Sequence, residues 1–184
     1  MAAYNNTILG NDGDDVLVGS NGNDRISGGA GNDLIWGNRG HDILWGGGGD
    51  DYLYGDLGND TLIGGTGWDV LVGNAGGDLF VFASAQDSLV EDAGWDRVMD
   101  FDPAQGDRID LSAVDANVRQ DGDQDFSFIG FSEFTGRAGQ LRLIEADGSL
   151  FLEADVSGNR RANIRIELAD LSAADFLQAG AVLL

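Results

Sequence analysis

Aspartate recurs at every ninth residue from Asp15 through Asp24, Asp33, Asp42, Asp51, Asp60 and Asp69 to Asp78. Carboxylates are hard oxygen donors that hold divalent cations, and in suitably spaced pairs they can also hydrolyse glycosides. The surrounding residues decide between these chemistries. A glycine stands two residues before each aspartate (Gly13, Gly22, Gly31, Gly40, Gly49, Gly58, Gly67, Gly76), and another stands five before it (Gly10, Gly19, Gly28, Gly37, Gly46, Gly55, Gly64, Gly73). Such a frame serves tight loops that expose backbone carbonyls rather than an acid and base across a substrate cleft. The chain carries 32 acidic residues against 10 arginines and no lysine, a formal charge of −22. That charge repels nucleic acid and anionic lipid surfaces and leaves cations as the natural partners.

The spacing defines eight consecutive nonapeptides over residues 10–81, without insertion or deletion. Position two of each unit is Gly, Asn, Ser or Asp, which tolerate left-handed backbone, so the first six residues read as a loop. Position eight carries one large apolar residue per unit: Leu17, Ile26, Ile35, Leu44, Leu53, Leu62, Leu71 and Phe80. Flanking β-formers such as Val16, Trp36, Tyr54 and Val72 make positions seven to nine a three-residue strand with one inward side chain. Two units complete one circuit of a parallel coil, with odd units in one sheet, even units in the other and the loops along two edges.

Equivalent aspartates then stack along each edge. Adjacent strands lie about 4.8 Å apart, and two like charges near 5 Å repel by roughly 3 kcal/mol at an effective dielectric of about 20. That equals or exceeds the roughly 1.5 to 3 kcal/mol gained by burying one Leu or Ile. A hard divalent cation between neighbouring loops turns the repulsion into attraction. Calcium, which accepts irregular cages of carboxylate and carbonyl oxygens, suits the site better than magnesium. The metal-free chain is therefore expected to be largely unfolded and to fold on binding calcium.

The unit Gly-Gly-x-Gly-x-Asp-x-apolar-x, seen in Gly28-Gly-Ala-Gly-Asn-Asp-Leu-Ile-Trp36, resembles the RTX, or hemolysin-type, calcium-binding repeat. The resemblance implies an all-β fold, a parallel β-roll (right-handed β-helix of nonapeptide repeats) capped by a C-terminal antiparallel β segment. It also implies a ligand rule: the carbonyls of positions two and four and the Asp of one loop join the carbonyls of positions one and three and the Asp of the loop one circuit on. Carried over, the first site uses Asn11, Gly13, Asp15, Gly28, Ala30 and Asp33, and the second Ser20, Gly22, Asp24, Gly37, Arg39 and Asp42. The third takes Gly29, Gly31, Asp33, Gly46, Gly48 and Asp51, and the fourth Asn38, Gly40, Asp42, Gly55, Leu57 and Asp60. The fifth takes Gly47, Gly49, Asp51, Gly64, Thr66 and Asp69, and the sixth Asp56, Gly58, Asp60, Gly73, Ala75 and Asp78. Six calcium ions follow, with one or two more expected at Asp87 or Asp96, which fall at position six of a fading register that also includes Leu89, Gly94 and Val98.

The chain divides into a lead-in (1–9), the eight-repeat roll (10–81), degenerate repeats and a junction (82–112), and a C-terminal β cap (113–184). The run Asp96 to Ser112 resembles the segment after the roll in serralysin-type proteases and in the R-modules of alginate epimerases. Strand-like runs at Gln140 to Ile144, Ser149 to Ala154 and Asn163 to Leu168 alternate with turn residues. Arg160 and Asn163 stand where relatives carry Gly and Asp, so no calcium site is expected there. The odd sheet turns Val16, Val18, Leu34, Trp36, Tyr52, Tyr54, Val70 and Val72 outward, and residues 113–184 or a neighbouring domain are expected to cover this face. The alternative is a sugar-binding platform of Trp36, Tyr52 and Tyr54.

Composition removes several activities. A His-Glu-x-x-His zinc protease or a serine triad needs more than the single His41, which sits at a turn position, and a P-loop needs a lysine. There is no cysteine for a thiolate site and no stretch long enough to span a bilayer. The N-terminus lacks a cleavable signal, whereas the resemblance implies type I export on an uncleaved C-terminal signal, here the acidic-then-apolar tail from Asp170 to Leu184. The expected protein is a noncatalytic, secreted, calcium-folded module, either the C-terminal module of a larger enzyme or a stand-alone calcium-binding or adhesion protein. Its expected partners are calcium, the type I machinery, and a linked enzyme domain or an extracellular alginate-like polysaccharide.

Overall fold

The computed structural model describes residues 4–89, 95–117, 125–179 and 182–183. Nine strands cover the repeats and the residues just before them: β1 (Thr7–Asp12), β2 (Val16–Val18), β3 (Arg25–Ala30), β4 (Leu34–Arg39), β5 (Ile43–Gly48), β6 (Tyr52–Leu57), β7 (Thr61–Thr66), β8 (Val70–Ala75) and β9 (Leu79–Val81). Beyond them come β10 (Asp96–Val98), β11 (Arg108–Asp110), β12 (Ser127–Phe128), β13 (Gln140–Ala146), β14 (Ser149–Asp155), β15 (Ile164–Leu168), α1 (Ala173–Ala179) and β16 (Val182–Leu183).

The odd units stack in parallel as β2, β4, β6 and β8, and the even units as β3, β5, β7 and β9. Register follows position eight: Leu17 pairs with Ile35, Ile35 with Leu53 and Leu53 with Leu71 in one sheet, and Ile26 with Leu44, Leu44 with Leu62 and Leu62 with Phe80 in the other. From Ile26 onward these side chains are wholly buried and meet between the sheets. A shift by one residue would turn every one of them outward, which locks the stack.

Most of these strands are six residues long rather than three, because pairing resumes after position one and runs through positions two and three of the next unit, as in Asn38↔Asp56 and Arg39↔Leu57. The lead-in is not separate from the roll. Thr7, Ile8 and Leu9 supply one more strand of the even sheet, with Ile8 opposite Ile26 in the position-eight row.

At the other end β10 pairs with β8 and β11 with β9, so each sheet gains one more turn from the junction. The strands β13, β14 and β15 form the expected antiparallel cap. Its placement departs from expectation: β15 pairs edge-on with β10, so the described part of the cap prolongs the odd sheet to nine strands, and of the eight outward residues only Val70 is buried. Val16 and Val18 remain 68% and 54% exposed, Tyr52 is 40% exposed, and Trp36 stacks on its neighbour Tyr54 with ring centroids 5.8 Å apart. The tail forms α1 and β16, the latter paired with β11, while Gly94 and Gly180, Ala181 and Leu184 of the tail lie outside the described residues.

Candidate metal centre

Each repeat loop is set by two backbone constraints. Position two adopts positive φ in seven of the eight loops, at Asn11, Asn38, Asp56 and Asn74 and at Gly29, Gly47 and Gly65. Position one is constrained by proximity: the point where a Cβ of Gly55 would sit lies 2.5 Å from Asp60 Oδ2 and 2.9 Å from the Gly73 carbonyl oxygen. The same geometry explains the glycine and shows a carboxylate oxygen and a carbonyl oxygen of the next circuit converging on one spot.

The aspartates form two continuous columns. The backbone N–H of each donates to Oδ1 of the aspartate one circuit on: Asp15 to Asp33, Asp33 to Asp51 and Asp51 to Asp69 on one edge, and Asp24 to Asp42, Asp42 to Asp60 and Asp60 to Asp78 on the other, all at 2.7–2.9 Å. From Asp24 to Asp78 these residues are at most 1% exposed. Oδ2 of Asp15, Asp33, Asp42, Asp51, Asp60, Asp69 and Asp78 is buried with no hydrogen-bond partner. A buried charged oxygen without a partner is costly, and a whole file of them marks a place for cations.

Burial raises these carboxyls, and the neighbouring aspartates add to the effect. Asp42 and Asp51 are pushed up to about 6, and Asp60 and Asp69 to about 7, against the partial relief of the N–H each accepts. Asp33 and Asp78 are raised for the same first reason. Among the described residues no three His, Cys, Asp or Glu side chains gather into a metal cage. An ion in these files would meet aspartate oxygens and loop carbonyls, a donor set of oxygens alone that fits calcium and not a softer metal.

Loop two departs from the rest. Ser20 and Gly22 lack the positive φ of their counterparts. The Ser20 N–H donates to Asp24 Oδ2 at 2.6 Å, and the Asn6 N–H donates to its Oδ1 at 2.6 Å. The lead-in folds over this loop and satisfies Asp24, which leaves it less suited to a cation than the other seven.

Beyond the repeats, the junction residues split. Asp87 leaves the column; its carboxylate accepts the N–H groups of Ala83 and Ser84 and the Ser84 hydroxyl within a turn. Asp96 continues the column, accepting the Asp69 N–H at 2.9 Å, and burial pushes it up to about 9. Asp107, which the nine-residue count does not reach, continues the other column by accepting the Asp78 N–H at 2.8 Å.

A second file of contacts runs at position five and escapes the repeat formula. Asp14 Oδ1 accepts the Asn32 N–H, Asn32 Oδ1 that of Asp50, and Asp50 Oδ1 that of Trp68. On the other edge Asn23 Oδ1 accepts the His41 N–H and His41 Nδ1 accepts the Asn59 N–H at 2.8 Å. The readable signal is that position five is Asp, Asn or His, all side-chain acceptors, in its first six occurrences. His41 is thus a loop-stacking acceptor. In the cap, Asp155 accepts backbone donors from Ser157, Gly158 and Arg160, while Asn163 accepts those of Val156 and Ser157, so this loop is held by its own hydrogen bonds.

The family model of the RTX calcium-binding nonapeptide repeat matches in four overlapping copies, at residues 2–35, 18–53, 27–62 and 45–80. The chain belongs to this family. The repeats therefore bind calcium. Over nearly its whole length this RTX chain is also similar to the AlgE6R3 subunit of a mannuronan C5-epimerase from Azotobacter vinelandii, with 29% identity over 95% of this chain and 80% of that one and a TM-score of 0.52. The AlgE6R2 subunit of the same kind of enzyme is 31% identical over 96% of this chain and 91% of that one, with a TM-score of 0.48. No curated protein matches significantly.

Proposed function

We propose that this protein is a noncatalytic module that folds when calcium fills the two loop files, and that it works outside the cell as part of, or beside, an exported enzyme. The observation that carries the reading is the file of buried Oδ2 atoms without partners. The proposed occupants are six ions between loops one and three through six and eight, held by the aspartates and loop carbonyls assigned from the repeat rule, with the ion between loops two and four the weakest because Asp24 is already satisfied.

Sites tuned to roughly 10⁻⁴ to 10⁻³ M, as in extracellular modules, stay empty in the cytosol and fill outside. The chain then crosses its type I exporter unfolded and folds on arrival. No helix among the described residues is long and apolar enough to cross a membrane. The test is far-ultraviolet circular dichroism in chelator and in millimolar calcium: a large gain of β signal is expected, and an unchanged spectrum would overturn the reading.

A second function is favoured by one feature of the cap. A cleft of about 380 Å³ is lined by Arg142, Arg160, Arg161 and Arg165 with Asn159 and Asn163. Glu153 pairs with Arg142 at 2.8 Å and with Arg165, while Arg160 and Arg161 form no ion pair among the described residues. Together with the likeness to epimerase subunits, this supports binding of a carboxylated polysaccharide. Titration with uronate oligosaccharides at fixed calcium tests it; equal affinity for a neutral oligosaccharide would rule it out.

A further inference from the structure

The odd column does not stop where the repeats stop. Asp69 and Asp96 are both 0% exposed, the Asp69 N–H donates to Asp96 Oδ1 at 2.9 Å, and Oδ2 of each is buried without a partner. This is the contact made by every aspartate pair inside the array, yet it spans 27 residues instead of 18. The nine-residue count would pair loop seven with Asp87, but the oxygens of Asp87 are taken up within its own turn and Asp96 stands in the column instead.

The even column ends differently. Asp107 Oδ1 accepts the Asp78 N–H and its Oδ2 accepts the Asp102 N–H, both at 2.8 Å, so the last carboxylate is satisfied by the chain itself. Asp24 closes that column's other end in the same way. Asp96 has no such closure.

We propose that one further calcium ion, outside the repeat array, sits between loop seven and Asp96 and clamps the C-terminal sheet onto the roll. The inference rests on the calcium reading of the repeats. Asp69 and Asp96 supply the unpartnered carboxylate oxygens, and by repeat equivalence Gly65 and Gly67 supply carbonyls from loop seven.

The position gives the ion its role. Asp96 opens β10, the strand between roll strand β8 and cap strand β15. Its N–H donates to Ser88 Oγ at 2.9 Å, and the Ser88 hydroxyl donates to the Arg165 carbonyl of β15. Asp87 contributes no free oxygen but lies close enough to repel both Asp69 and Asp96. Two buried, unpartnered carboxylates thus meet at the seam through which the cap is joined, and a divalent ion there makes docking of the cap depend on the same signal that folds the roll.

The test is metal counting on the full chain by native mass spectrometry at saturating calcium, with Asp96→Asn beside the exposed control Glu145→Gln. Asp96→Asn keeps an oxygen for the Asp69 N–H, so the roll is expected to form with one ion fewer than wild type, while the control keeps the full number. Trp95, packed edge-on against Phe151 with ring centroids 5.9 Å apart, reports the clamp. With Trp36, Trp45 and Trp68 changed to Phe, its calcium-dependent fluorescence change should need at least several-fold more calcium once Asp96 is Asn.

An unchanged ion count in Asp96→Asn overturns the clamp while leaving the repeat sites standing; a wild-type chain that takes up no calcium overturns the repeat reading itself. Should Asp96→Asn fail to fold, the wild-type count decides. One ion more than the six that the repeat pairs supply supports the clamp, and six or fewer overturns it.

Discussion

Replacing Asp60 with Asn separates the two energies that the aspartate files balance, because it should move the metal-free and calcium-bound states in opposite directions. The change is isosteric and keeps an oxygen to accept the Asp42 N–H, now at 2.8 Å. In the metal-free coil it removes a carboxylate that burial, Asp42 and Asp78 together raise to about 7. At strand spacing each ionised neighbour costs about 3 kcal/mol at an effective dielectric of 20, less after solvent screening, so a gain of about 1 to 3 kcal/mol is expected at pH 8. With calcium, the same side chain serves the ions between loops four and six and between loops six and eight. Losing one carboxylate from each should raise the calcium midpoint about tenfold or more, the equivalent of at least about 1.4 kcal/mol. Circular dichroism in chelator with a stabilising osmolyte, which draws out a folded fraction of the metal-free chain, and urea denaturation in saturating calcium measure the two effects. Destabilisation of similar size in both conditions would refute the reasoning, since it would mean that Asp60 acts by packing and not by charge.

Proton competition supplies a second expectation. The carboxyls of Asp60 and Asp69 sit near 7 in the metal-free fold and near 4 in the unfolded chain. Their protonation therefore stabilises the metal-free fold fully below about pH 4, and this stabilisation is lost as pH rises through about 7. Calcium must displace those protons, so its midpoint should rise steadily in titrations run at pH 8, 6.5 and 5; a midpoint independent of pH would contradict the assignment. Gly55→Ala places a methyl 2.5 Å from Asp60 Oδ2 and 2.9 Å from the Gly73 carbonyl oxygen. Thermal denaturation in saturating calcium should show a loss of about 1 to 3 kcal/mol; an unchanged melting temperature would contradict the close approach.

The sequence by itself determined the roll. Eight units without an insertion fix an 18-residue circuit, and one apolar residue per unit at position eight, from Leu17 to Phe80, can be buried in only one register. The aspartates and their glycines were equally legible, since like charges stacked at strand spacing demand a cation whatever surrounds them.

Tertiary structure decided what lies outside the repeat. Residues 7–9 join the even sheet because Ile8 finds the row of Ile26, a match that no nonapeptide motif announces. Asp96 and Asp107 join the columns and Asp87 does not, because the chain makes a turn at Asp87 and re-enters the stack only when β10 and β11 find open edges to pair with. The described part of the cap runs on from the sheet for the same reason: β10, left with an unpaired edge, takes β15 by backbone hydrogen bonding. Edge pairing depends on which strands meet in space, and side-chain periodicity along one chain carries no record of that.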